Sequence, residues 1–462
     1  MLSGAGLVIA DMIGVGVLVS TGYMAQDMSA GPILIAWLLG TVVAVCGVMA
    51  YSGVVAAVRQ SGGEYRFLSD LVHPLLGYLA GWGSLILGFS AAIAVDAHAI
   101  GHFLNTLFPG PDPRLVGAIV IFTITILQGY DANLSHRSQN LFVSFKLSFL
   151  LLFVLLALIM GNNAMPSWSP PNQTEGFPWI KVIENQFWIA FAFSGWNAAV
   201  YTAGEFRHPG RDVPRSMMIG LIVVAMLYIA INWIFVANLT PADAVAVFTY
   251  EETRITLAHL IAEDIFGQHG GQIVSVLVII IFVSAISVMM MIGPRVYAAM
   301  AEDGYLPKIF RLRNGKPPLN ATLLQAAVSL LLLYSHTLRE AVLAASAFLL
   351  LFTALTAATL FRLRRYRRQP YPSRYQLIAS ALYILAVTVI LITGLQTATV
   401  QWYAFGVVLA LACLLYTSDA ADDSVLVYIS VVAVSIKKFF FQGEVGIRDV
   451  ARWIVGGGVF FS

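Results

Sequence analysis

Stretches of about twenty consecutive apolar residues recur from one end of this chain to the other, and each is long enough to cross a bilayer as a helix. PILIAWLLGTVVAVCGVMAYSGVVAAV (32–58) and IVSVLVIIIFVSAISVMMMIG (273–293) are two of them. No single soluble core absorbs that much apolar surface. Of 462 residues, 59% are hydrophobic and 11% charged, against roughly 25% charged in soluble domains. The solvent of this chain is largely lipid, and the chain reads as an all-α, multi-pass membrane protein. The opening MLSGAGLVIADMIGVGVLVS has no basic segment and no cleavage site, so it reads as the first span and not as a signal peptide.

Hydropathy and turn residues place helices at 3–22, 32–58, 75–105, 113–129, 138–160, 183–205, 216–238, 272–302, 321–336, 341–361, 375–395 and from 401 onward. That is about twelve spans. The gaps carry turn chemistry such as Gly31-Pro32, Pro109-Gly110-Pro111 and Pro170-Pro171. Every second loop is basic: Arg59, Arg66, Arg137, Arg207, Arg211, Arg215, Arg295 and the run RLRRYRR (362–368) lie on one side. The other side holds Arg114, Lys181, Arg254 and Arg339. The positive-inside rule makes the basic side cytoplasmic and puts the N-terminus inside. The net charge of +2 gives no basis for nucleic-acid binding, and Cys46 and Cys413, both in apolar runs, imply no disulfide framework.

Two spans carry glycines where a helix would cross mid-membrane: the first at Gly14-Val15-Gly16 and the sixth at Ser194-Gly195. Each opens a block of five spans. Interrupted helices at matching places in two halves point to a 5+5 inverted-repeat transporter, with cargo bound at the breaks. Amides at a half-helix start can hold a carboxylate, and carbonyls at a half-helix end can hold an ammonium. A zwitterionic amino acid has both. The halves are then 1–160 and 183–361, followed by 375–412 with the eleventh span and a shortened twelfth.

Ionisable residues inside spans cost roughly 2.5–3.5 kcal/mol or more at mid-bilayer. Asp11 precedes the first break; Lys146 lies within the fifth span; Asp96, His98 and His102 lie in the third. Lys146 needs a carboxylate or carbonyls, and Asp11 is its most attractive partner. Asp96 reads as near the outer mouth and wet. The two histidines share a helix face and read as hydrogen-bonded, so no metal and no cofactor are expected.

Four segments carry a family resemblance: DMIGVGVLVSTG (11–22), SGGEYRFLSDLVHPLLGYLAGW (61–82), FAFSGWNAAVYTAGEFRHPGRDVPRS (191–216) and VSAISVMMMIGPRVYAAMAEDGYLP (283–307). In order and spacing they resemble the amino acid–polyamine–organocation transporter superfamily, closest in pattern to bacterial relatives of the L-type amino acid transporters. The resemblance implies a secondary active transporter, not an enzyme. Amides around Gly14, Val15 and Gly16 would hold the substrate carboxylate. Carbonyls near Met12 and Ile13, with those of Phe191 and Ser194, would receive the ammonium. Phe191 would gate the outer side; Gly195, Trp196 and Asn197 would line the pocket. Lys146 matches the fifth-span lysine that replaces a sodium ion in sodium-independent relatives, with Asp11, Ser284 and Ser287 as candidate coupling neighbours.

Asn197 stands where acid-resistance antiporters carry glutamate, and only Asp11 offers a fixed anion to the pocket. A neutral amino acid is therefore favoured, moved across the inner cytoplasmic membrane by proton symport or exchange. The rival of the same fold is a cationic amino acid or polyamine antiporter; a membrane transferase is the remote alternative. CLLYTSDAAD (413–422) resembles an adapter read-through, which would make 413–462 non-native.

Overall fold

The computed structural model describes residues 2–25, 27–130, 132–164, 176–239, 257–312, 318–335, 338–366 and 370–396. Among these there is helix and no strand. The expected twelfth span and the segment 413–462 lie outside the described residues.

In chain order the helices are α1 (Leu2–Met12), α2 (Val15–Met24), α3 (Ala30–Ala57), α4 (Gly63–Leu71), α5 (Pro74–Gly83), α6 (Ala91–Leu107), α7 (Pro113–Tyr130) and α8 (Ala132–Met160). They continue as α9 (Trp179–Phe193), α10 (Pro209–Asn238), α11 (Leu257–Phe266), α12 (Gly270–Glu302), α13 (Leu319–Ser335), α14 (Leu338–Arg365) and α15 (Arg374–Gln396). By length and composition seven described helices can cross a membrane, eight when the bent pair α1–α2 counts as one. Pro113–Gly129 and Leu319–Ser335 are shorter apolar helices.

Two helices escape a hydropathy reading. The segment α4 carries Glu64, Arg66 and Asp70 within nine residues, so it shows no apolar run. Its apolar face, with Tyr65, Phe67 and Leu68, is nevertheless fully buried. The other, α11, is ten residues long, too short to span. The sequence also leaves α8 and α10 several residues short at their starts. Polar first turns, such as Ala132–Asn133 and Pro209–Arg211, continue the helix beyond the hydrocarbon. In α10, Pro209 occupies the first turn, where a missing N–H costs nothing.

Exposure sorts the helices into centre and rim. In Pro74–Leu107 89% of the most apolar window is buried, against 33% in Arg137–Met160 and in Arg374–Gly394. On α7, Leu115, Ile119, Phe122 and Ile126 are exposed at intervals of one helical turn, a stripe that suits hydrocarbon. Lys146 lies on the opposite, inward face of its rim helix α8 and is fully buried.

Three interruptions lie in the centre of the bundle. Between α1 and α2 the backbone at Gly14 is extended (φ −135°, ψ −153°), and the helices bend by 45°. Between α9 and the 3₁₀ segment Ala198–Glu205, Gly195 has φ +95°, a conformation that favours glycine. Between α5 and α6 the helix widens into a π-turn over Ser84–Ser90.

Candidate functional site

The two breaks touch each other. A Cβ added at Gly16 would sit 2.6 Å from the Ala192 Cα, and one at Gly195 would sit 2.8 Å from the Asp11 carbonyl carbon. As one strand of the crossing runs from residue 11 to 16, the other runs back from 195 to 192. The breaks therefore cross antiparallel at van der Waals distance, which a glycine on one side of each contact permits.

Broken helices leave carbonyls without intrahelical partners, and lipid supplies none. Here two side chains supply them. The Lys146 Nζ donates to the carbonyls of Ala10 at 2.9 Å and Ile13 at 2.7 Å, closing the end of α1. The Tyr228 hydroxyl, from α10, lies 2.6 Å from the Met12 carbonyl and 2.9 Å from the Ala192 carbonyl, sharing its proton between both broken helices. The Phe191 carbonyl accepts from the Ser194 backbone N–H at 3.0 Å and from its Oγ at 2.7 Å. By contrast, Gly14 at the start of α2 has no side chain to cap it, and no side chain among the described residues accepts from its first amides.

Gly14 and Gly16, at that start, line a cavity. Its lining comes from the first break (Asp11, Met12, Gly14, Gly16) and the second (Phe191, Ser194, Gly195, Asn197, Tyr201). The π-turn and α6 add Ser84, Gly88, Phe89, Ala92 and Asp96; α12 adds Ala285 and Met289; α14 adds Ala345 and Leu349. An α2 N-terminus on one wall and an α9 C-terminus on another give the cavity opposed partial charges, an arrangement complementary to a zwitterion.

Several residues singled out from the sequence stand elsewhere. Trp196 is absent from the lining; its indole packs edge-on against Tyr51 and Tyr383, because the turn at Gly195 swings it toward α3 and α15. Ile13 is also outside the lining, its carbonyl engaged by Lys146. Lys146 makes no ion pair with Asp11 among the described residues; carbonyls hold it instead. The Ser287 Oγ accepts from Gln128 Nε2 at 2.6 Å, and the Ser284 hydroxyl is buried with no described partner. Asp96, expected to be wet, is 5% exposed and lines the cavity.

Other residues emerge only in three dimensions. The Glu64 carboxylate, from α4, is buried and accepts from Tyr51 Oη at 2.7 Å and Asn197 Nδ2 at 2.6 Å. Asn197 also donates to Tyr201 Oη at 3.2 Å. Beyond them, Arg66 Nη1 binds Asp303 Oδ2 at 2.8 Å, and Arg295 binds Glu205. Helix α4 is thereby fastened to the 3₁₀ half of the sixth span and to the end of α12. The acidic SGGEY residue was visible in the sequence, but no spacing links Glu64 to Asn197, 133 positions away. Tyr228 gave no signal at all, lying in an unbroken apolar helix.

The sequence model of the family described as amino acid permease matches residues 1–436. The large neutral amino acids transporter small subunit 2 of Mus musculus is 26% identical over 418 residues, covering 86% of this chain and 76% of that protein. The serine/threonine exchanger SteT of Bacillus subtilis (strain 168) is 26% identical over 339 residues, 71% of this chain and 74% of its own. The b(0,+)-type amino acid transporter 1 of Mus musculus matches at 26% over 255 residues, 53% and 52% of the two chains.

Replacing Lys146 with Met removes the donor from two buried carbonyls, each costing roughly 1–3 kcal/mol when left unmade. The expected result is a clearly lower melting temperature in detergent together with lost cargo binding; an unchanged melting curve would show that the carbonyls find other donors. Gly16→Ala, which drives a methyl into the Ala192 backbone, should cost on the order of 1–3 kcal/mol of packing. Its readout is cargo affinity by thermal shift, which falls if the crossing carries the site.

Proposed function

The chain belongs to the amino acid permease family and is an amino acid transporter, not an enzyme; we propose that it carries free α-amino acids by alternating access, independently of sodium. The observation that supports this most is the pair of crossed half-helices, with uncapped amides facing the cavity from α2 and the end of α9 across from them. Substrate carboxylate binds at Gly14–Gly16, and substrate ammonium binds toward Phe191 and Ser194. Polyamines have no carboxylate for the α2 amides, so an amino acid fits better.

In this reading the two five-span halves, 1–160 and 183–361, form an inverted repeat within a bundle of twelve spans, with the N-terminus cytoplasmic. Lys146 places a fixed cation beside the first break, where a sodium ion would otherwise be needed to neutralise the helix end. Coupling then comes from exchange of one amino acid for another or from a proton, with Asp11, Lys146, Ser284 and Ser287 as the groups nearest to that role. The relatives support exchange, since one is named a serine/threonine exchanger. The fastenings Arg66–Asp303 and Arg295–Glu205 lie on the basic side of the bundle and act as the cytoplasmic gate, which must part for release.

Purified protein in liposomes preloaded with amino acids should take up labelled amino acid by counterflow, at a rate unchanged when choline replaces sodium. Uptake that stops without sodium would remove the assignment of Lys146. Breaking the gate with Asp303→Asn should shift the resting population toward the inward-facing state, seen as faster labelling of a cysteine introduced at the cytoplasmic end of the cavity.

A further inference from the structure

Two carboxylates, Asp11 and Asp96, line the cavity, and among the described residues no lysine, arginine or histidine does. Asp96 is 95% buried, with no hydrogen bond or ion pair among the described residues, and its side chain faces the cavity. Asp11 lies against Gly195, its Oδ2 2.8 Å from where a Cβ there would be, and so belongs to the backbone end of the site. Asp96, on α6, shares the lining with Ala92 of the same helix and with Ala285 and Met289 of α12, on walls that the two breaks do not form. Among the described residues Lys146 is the one cation whose charge acts on both carboxylates, and carbonyls hold it behind α1. One cation and two carboxylates leave the site with one uncompensated negative charge when all three are ionised.

A zwitterionic cargo adds nothing to that balance. Buried charge without a partner is strongly unfavourable, so one further positive charge, a proton or part of the cargo, stabilises the loaded site. We propose that the cargo brings it: Asp96 selects α-amino acids whose side chain ends in an ammonium or guanidinium. This rests on the amino acid transport reading above and names its substrate class. The methylenes of such a side chain run along Ala92, Ala285 and Met289, and the cationic head meets Asp96. The sequence-based preference for a neutral cargo took Asp96 to be wet; its place in the cavity wall reverses that preference.

The test is competition and counterflow in liposomes with the full chain. Arginine and lysine should inhibit labelled uptake at least about tenfold more strongly than citrulline, which keeps the shape of arginine without its charge. Asp96→Asn should lower the ratio of arginine to leucine specificity by at least about tenfold, and Asp96→Glu should restore part of it. Equal inhibition by arginine and citrulline overturns the proposal in the wild-type protein, whatever the variants do. Leucine uptake that acidifies the vesicle interior, with no arginine exchange, also overturns it, because a proton then supplies the missing charge. In both of those outcomes amino acid transport stands. Absence of counterflow with all twenty amino acids would instead remove the transport reading.

Discussion

The Lys146 ammonium on the carbonyls of Ala10 and Ile13 is the contact on which the site depends. A helix interrupted in hydrocarbon exposes peptide groups that neither lipid nor a neighbouring turn can satisfy. The sequence could have avoided the cost by running α1 and α2 as one rod, but then no free amide would face the cavity. Instead the break is held open from behind by a buried charge, reinforced by the Tyr228 hydroxyl between Met12 and Ala192. With the α1 carbonyls engaged on one side, the α2 amides are left without a side-chain partner among the described residues. The asymmetry is electrostatic as well as steric: a cation at a helix C-terminus is favourable, and an anion at the next N-terminus is too.

Around that contact the polar groups of the interior are distributed so that motion and binding share residues. Asn197 and Tyr201 line the cavity and also belong to the network that ends on Glu64 and Tyr51. Glu64 stands on α4, and α4 is tied by Arg66 to Asp303 at the end of α12. A displacement of Asn197 by a fraction of an ångström therefore disturbs a hydrogen bond to α4. Packed interiors respond to such displacements by switching between discrete arrangements, not by stretching. A neutral amide at this position, receiving a carboxylate from another helix, needs no glutamate of its own.

Much of this was readable from residues alone, and the limits are physical. Glycines at 14, 16 and 195 marked the breaks because they interrupt two spans at matching places in two halves, where close packing of helices is the other reason for a glycine in mid-span. Lys146 announced itself through the cost of its charge. What could not be read were the directions of side chains at the turn: Trp196 and Asn197 are neighbours in sequence, yet the positive φ at Gly195 sends one to Tyr51 and Tyr383 and the other to Glu64. Asp96 was misplaced for the same reason. Its depth along a helix is a matter of counting, but its facing depends on the π-turn at Ser84–Ser90, which rotates everything after it and leaves no mark in hydropathy. Helix α4 was missed because a half-charged, half-aromatic segment has no apolar run even when its apolar face is fully enclosed.

The division of labour in the cavity explains how relatives at 26% identity can bear names for different cargo. The backbone of every α-amino acid is the same zwitterion, and in the proposed reading peptide groups at the breaks grip it, so no particular side chain has to be kept for that task beyond the glycines. The same reading leaves selectivity to the other walls, which residues of the π-turn, α6, α12 and α14 make. A change there alters charge or volume without touching the helix ends. An amide-and-carbonyl grip thus makes substrate class the easily changed property of this fold, and alternating access the costly one.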